Sequence, residues 1–196
     1  MAQRKAKVTR ETAETNVRVE LNIDGKGDFE ITTGIRMFDH FLSQLARHGI
    51  FDLKISATGA DQHHVVEDVA ITLGKAFNQA LGKKEGIVRM GHGVAPMDDT
   101  LVMAAVDIGG RPYTVLDISF TDTNIGELSS DLVRHFLVSF AAEAKINLHA
   151  RVIAGVNDHH KAEAVFKALA RALDSATRID PRIEGRVPST KEVIEG

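Results

Sequence analysis

Six of the nine histidines in this 196-residue chain fall into one pattern, built twice. In "QHHVVEDVAITLG", His63 and His64 are followed by Glu67; in "DHHKAEAVFKALARAL", His159 and His160 are followed by Glu163. A further histidine precedes each doublet inside a shared His-Phe-Leu motif: His40 lies 23 residues before His63, and His135 lies 24 before His159. On a helix, positions i and i+4 share a face, so His63 can act with Glu67, and His159 with Glu163. The second histidine of each doublet, His64 or His160, points ~100° away around the helix. It is therefore turned toward a second ion or another chain. Six imidazoles and two carboxylates divided between two ions supply three histidines and one carboxylate each. An octahedral ion held this way keeps positions open for water or substrate. Imidazole and carboxylate without thiolate suit Mn, Fe, Co, Ni or Zn alike. One His-His-x-x-Glu on a polar helix face would carry little weight; two copies with matching upstream histidines carry the metal reading. His48, two turns beyond His40, could line the same cleft. His92 and His149 lack such partners and read as ordinary strand or surface residues.

Other polar groups are weaker signals. "ETAET" puts Glu11 and Glu14 in an expected N-terminal strand. Arg89 and Arg111 could bind phosphate oxygens bidentately, and Ser189, Thr190 and Lys191 of "VPSTK" add hydroxyl and ammonium donors. Asp68 follows Glu67 where Ala164 follows Glu163, and a carboxylate beside a ligand suggests that Asp68 orients a ligand histidine. No glycine-rich nucleotide loop and no G-x-S-x-G turn occurs.

The composition bounds the class. Hydrophobic residues at 43% and charged residues at 26% describe a globular chain. A formal net charge of -3 gives no electrostatic case for nucleic acid. The absence of cysteine excludes disulfides and thiolate sites. No run approaches the ~18 apolar residues of a membrane span, and the basic start "MAQRKAK" has no apolar stretch behind it. A cytoplasmic location is the expectation.

The elements that must position these groups also repeat. Val66, Val69, Ala70, Leu73, Ala76, Phe77 and Leu81 recur at helical spacing before Gly82, and Ala162, Val165, Phe166, Leu169, Ala170 and Leu173 do the same. "FDLKISATG" matches "NLHARVIAG" as a strand. "VRVELNIDGKGDFEITTG" resembles "LVMAAVDIGGRPYTVLDIS", and each reads as two strands joined in a hairpin. The expectation is an α+β fold of two pseudo-repeats, each sheet plus helices, with the helical layer packed between two sheets. The pseudo-repeats are assigned to residues 1–93 and 94–180. A basic C-terminal tail, 181–196, is expected to contribute to phosphate binding, the whole forming one compact unit.

Taken in order, "RETAET", "GIRMFDHFLSQLARHG", "HHVVEDVAITLG", "GIVRMGHGVAPMDDTL", "VDIGGRPY", "NDHHKAEAVFKALARAL" and "VPSTK" resemble the imidazoleglycerol-phosphate dehydratase family over essentially the whole chain. The family often has tyrosine where Met90 stands and glycine where Glu192 stands. The resemblance implies removal of water from imidazoleglycerol phosphate to give imidazole-acetol phosphate in histidine biosynthesis, through a metal-bound imidazolate and a diazafulvene-type intermediate. It implies two Mn2+ ions per active site, bound between subunits, in a homo-oligomer of 24 subunits built from trimers. His40, His63, His64, Glu67, His135, His159, His160 and Glu163 match the ligands. Glu14, Arg89, Arg111, Lys167, Ser189 and Lys191 match substrate-contacting positions, and His40, His48 and Thr190 are expected to join them in binding substrate. Glu14 is the expected acid–base group, with Glu67 or Glu163 as alternatives. Two rival readings are a metal-stapled structural assembly without catalysis and a two-metal phosphoesterase. The latter would want bridging aspartates between ions ~4 Å apart.

Overall fold

Alternation of apolar and polar residues builds the sheets. In β2 (Thr15–Asn22), Val17, Val19 and Leu21 are buried while Asn16, Arg18 and Glu20 face outward; in β6 (Thr100–Asp107), Val102, Ala104 and Val106 are buried. The computed structural model describes residues 4–183 and 185–194. β2 pairs antiparallel with β1 (Lys5–Glu11) and β4 (Asp52–Gly59), and β3 (Phe29–Thr32) runs parallel to β4, giving the order β1-β2-β4-β3. The second sheet repeats this with β5 (Met90–Met97), β6, β10 (Asn147–Ala154) and β7 (Tyr113–Asp117), in the order β5-β6-β10-β7. The first hairpin sets Glu11 opposite Asn16, and the second sets Pro96 opposite Leu101. Both offsets are 85 residues (96 − 11 and 101 − 16), so the two hairpins align without a gap.

Two expectations about the strands change. The segments read as hairpins do not pair internally, because a strand from later in the chain enters between their halves. β4 separates β2 from β3, and β10 separates β6 from β7. Burial gives the reason: β4 buries Leu53, Ile55 and Ala57, whereas β3 buries nothing fully and suits an edge. Within these two sheets the hairpins are β1–β2 and β5–β6. β5 runs across the expected division at residues 93 and 94, so the second sheet begins before it.

Among the described residues, four α-helices fill the space between the sheets. α2 (Gln62–Leu81) packs on β1 and β2, and α4 (Asp158–Thr177) on β5 and β6. α1 (Arg36–Gly49) packs against α4, and α3 (Asp131–Ala144) against α2, so each half lends its first helix to the other half. Phe38, Phe41, Phe77, Phe136, Phe140 and Phe166 stack edge-to-face or offset across these contacts, and one continuous core results. The depth of α4 depends on glycine: a Cβ at Gly91 or Gly93 would lie 2.2 Å from Ala172 O or 2.3 Å from Ala168 O. The second half also carries an extra hairpin, β8 (Asn124–Ile125) and β9 (Leu128–Ser129), whose Glu127 accepts from Met37 N at the start of α1. A short 3-10 turn, Pro181–Ile183, follows α4.

Candidate metal centre and active site

The histidine doublets open their helices for a local reason. Asp61 accepts from His63 N and His64 N, and Asn157 accepts from His159 N and His160 N, so each doublet is pinned by an N-capping side chain. One turn on, Glu67 and Glu163 come onto the face of His63 and His159.

The exchange of helices between halves then completes two triads. His40 of α1 meets His159 and Glu163 of α4: His40 Nε2 is 2.8 Å and His159 Nε2 3.1 Å from Glu163 Oε2. His135 of α3 meets His63 and Glu67 of α2, with His135 Nε2 3.3 Å from Glu67 Oε1 and the two imidazoles 4.5 Å apart between centroids. His135 Nε2 is buried and has no hydrogen-bond partner among the described residues. Such an orphaned nitrogen, aimed at a carboxylate and beside a second imidazole, has the chemistry of a cation site. Within one chain each set is therefore two histidines and one carboxylate. His64 and His160 stand outside both, as their helical positions required.

The triads are not equivalent. The Glu163 side chain is 8% exposed and that of Glu67 37%. Lys167 Nζ, one turn on, lies 2.6 Å from Glu163 Oε1, where the first half has Ile71. Burial opposes ionisation of Glu163, but hydrogen bonds from Lys167 and His40 outweigh it and hold the carboxyl at about 2. His48 faces this group: burial, then the charges of Lys167 and Arg171, keep its imidazole below the usual range.

The expected binding residues divide. Glu14 lies in the turn between β1 and β2 rather than in a strand, with Oε2 3.5 Å from His64 Nε2. The turn bonds within itself, Glu14 N and Thr15 N donating to Thr12 Oγ1. The Arg89 guanidinium is engaged by Asp107, through Nε at 2.7 Å and Nη2 at 3.0 Å, and donates from Nη1 to Pro188 O at 2.8 Å. It thus clasps the "VPSTK" segment, in which Lys191 N donates to Ser189 Oγ and Thr190 is exposed. Arg111 is exposed in the loop after β6, its carbonyl accepting from Asn147 Nδ2. The tail is not basic on balance: Arg182, Arg186 and Lys191 are matched by Glu184, Glu192 and Glu195, and residues 184, 195 and 196 lie outside the described residues. Glu192 adopts φ 60°, the left-handed region that favours the glycine expected there.

Among the described residues Asp68 makes no hydrogen bond to any of the six patterned histidines. Buried, it accepts from Arg10 Nε at 2.6 Å and from Thr15 Oγ1, tying α2 to the hairpin that carries Glu14. Ordinary strand residues, Arg10 and Thr15, claimed the carboxylate, which spacing along one helix could not reveal. Sequence reasoning also passed over Asp99, whose Oδ1 is 2.7 Å from His160 Nδ1, and Asp107. The signal for Asp99 was the 85-residue offset, which aligns it with Glu14.

α4 is tied down at its start by Asp158, which accepts from Lys161 Nζ, Thr121 N, Thr121 Oγ1 and Asp122 N. Burial raises its carboxyl, and these donors more than reverse that, to about 2. Both Asp158 and Glu163 are depressed from ordinary values of 3.8 and 4.5. Their contribution to stability is complete above those values and is lost as pH falls through about 2. The unfolding midpoint of metal-free protein should therefore drop between about pH 4.5 and 2, with a shallower slope for Asp158→Asn; a flat profile would refute the pairing.

The chain has recognisable relatives. The model of the imidazoleglycerol-phosphate dehydratase family matches residues 33–173. Curated imidazoleglycerol-phosphate dehydratases are 58% identical from Dehalococcoides mccartyi strain CBDB1, over 100% of both chains, and 50% identical from Methanothermobacter thermautotrophicus, over 97% of this chain and 98% of that one. The Staphylococcus aureus enzyme structure superposes with a TM-score of 0.83 at 31% identity, covering 90% of this chain and 99% of that one. The Pyrococcus furiosus enzyme, solved with (S)-C348, also gives 0.83, at 36% identity over 95% and 99%. On a match of this extent, in sequence and in fold, the chain belongs to the imidazoleglycerol-phosphate dehydratase family.

Proposed function

We propose that this hydro-lyase converts imidazoleglycerol phosphate to imidazole-acetol phosphate in histidine biosynthesis with two Mn2+ ions, and that the eight groups named from the sequence hold them. The observation that carries the metal reading is the pair of triads, above all the orphaned His135 Nε2 facing Glu67. His40, His159 and Glu163 would hold one ion, and His63, His135 and Glu67 the other. His64 and His160, turned away from both, would complete the sets on neighbouring copies. When bound, the ions supply Lewis acidity and a template for the imidazole.

The chain's own groups do the rest. Glu14, exposed on its turn beside His64, takes the proton from the carbon chain and passes it to the departing hydroxyl, which leaves as water, and the enol so formed tautomerises to the ketone. Lys167, Arg111, Ser189, Thr190 and Lys191 hold the phosphate, with His40 and His48 lining the cleft. Arg89 acts chiefly by fixing Pro188, which leaves the Ser189–Lys191 donors free for the ligand. Two grooves of a single chain lie away from the triads, one lined by Lys5, Glu20, Phe29 and Lys54, another by Arg4, Gln79 and Lys84.

Assembly into a homo-oligomer, 24 subunits from trimers, belongs to the same proposal. It is favoured by the outer face of the second sheet, where Val94, Leu101, Met103, Val115 and Ile153 surround the Arg151–Asp117 pair, in contrast to the outer face of the first, which carries Lys7, Arg18, Glu20, Glu30 and Lys54. Among the described residues no helix is long and apolar enough to cross a membrane.

Chelator-stripped protein assayed with imidazoleglycerol phosphate should be inactive and should recover on adding Mn2+. Full activity after stripping would remove the metal from the proposal; no activity with Mn2+ bound would remove the substrate.

A further inference from the structure

Glu14 and Asp99 occupy the same place in the two halves. The hairpins align at an offset of 85 residues (99 − 14), each residue immediately precedes a buried threonine, Thr15 or Thr100, and each faces the second histidine of its doublet. They use that position differently. Glu14 reaches Nε2 of His64 at 3.5 Å, while Nδ1 of that ring lies 3.8 Å from Asp61, so neither nitrogen is held. Asp99, one methylene shorter, is drawn back by Val156 N and Asn157 N, which both donate to its Oδ2. Its Oδ1 then lies 2.7 Å from His160 Nδ1.

A carboxylate at neutral pH can only accept, so Nδ1 of His160 must carry the proton. In the neutral ring the lone pair is then on Nε2. Asp98 Oδ2, 3.5 Å from Nε2 on an exposed side chain, makes no hydrogen bond that would hold a proton there. The result is a carboxylate–imidazole pair whose other nitrogen, Nε2, makes no hydrogen bond among the described residues, the arrangement that fixes tautomer and ring orientation in metal-binding histidines.

We propose that Asp99 is a positioning residue that locks His160 as the Nδ1–H tautomer and aims Nε2 at an ion shared with a neighbouring copy, while its repeat counterpart Glu14 is left free to move protons. The same hairpin position thus serves as an orienting carboxylate in one half and an acid–base carboxylate in the other. The inference rests on the reading of His160 as a ligand.

Asp99→Asn tests it, because asparagine keeps the oxygen to which Val156 and Asn157 donate but offers N–H to His160 Nδ1. Nitrogen-15 shifts of the metal-free protein should show His160 moving to the Nε2–H tautomer. Manganese affinity, read from free Mn2+ by electron paramagnetic resonance, should weaken about ten- to a hundredfold, with the unfolding midpoint unchanged. His160→Gln serves as reference. Wild-type tautomer or affinity in Asp99→Asn, with affinity lost in His160→Gln, overturns the role of Asp99 alone. Wild-type affinity in His160→Gln overturns the ligand reading and the inference with it.

Discussion

Glu14→Gln should lower turnover by about 10²- to 10⁴-fold, the usual contribution of a positioned acid–base group, and leave the fold and the metal content intact. The physical argument is that the side chain is exposed and makes a single long approach, 3.5 Å to His64, while the backbone of its turn is held by Thr12 Oγ1 and by Thr15 bonded to Asp68. Removing the negative charge thus removes proton transfer without removing a structural bond. Stability should change by less than about 0.5 kcal/mol, as for surface substitutions generally. Steady-state assay with imidazoleglycerol phosphate, metal analysis and urea unfolding on one preparation decide the matter. Loss of metal or of folding together with activity would make Glu14 structural. Unchanged turnover would return the acid–base role to Glu67 or Glu163. A metal-stapled assembly without catalysis would show no activity to lose.

The second large effect is expected from Glu163→Gln. This carboxylate collects His40, His159 and Lys167 in one half-buried cluster, so its loss takes the anionic ligand from one triad and leaves the Lys167 ammonium without its partner. One of two ions should be lost. Turnover should fall on the order of a thousandfold or more, equivalent to several kcal/mol of transition-state stabilisation. Glu67→Gln should lose the other ion, with a smaller effect on folding because Glu67 is more exposed and has no lysine one turn on. Equilibrium dialysis with Mn2+ and unfolding curves for both variants separate metal loss from instability. Two ions still bound in Glu163→Gln, with normal turnover, would be incompatible with the triad as a metal site.

Periodicity and local capping are short-range properties, and they were legible. The helices around the doublets, the shared face of His63 and Glu67, and the outward turn of His64 and His160 follow from positions within about one helix length of one another, and the duplicated α+β plan from matching such local patterns between the two halves. The family, too, could be recognised from ordered motifs. Strand pairing was less legible. An alternating segment announces a strand but not its neighbour, so β4 and β10 entering between expected hairpin partners could not be seen. Nor could the placement of Glu14 on a turn, since Thr12 and Thr15 read equally well as strand residues.

The amino-acid order by itself determined which side chains could bind a metal and which face of each helix they share, because helical geometry is a local constraint. Only the tertiary structure decided the partners. Exchange of α1 and α3 between halves joined His40 to Glu163 across 123 residues, and His135 to Glu67 across 68. Asp68 went to Thr15 and Asp99 to His160 because each half packs its hairpin against its own second helix. A hydrogen bond or an ion site is chosen by which groups the packed core brings within about 3 Å, and that packing is a property of the whole chain.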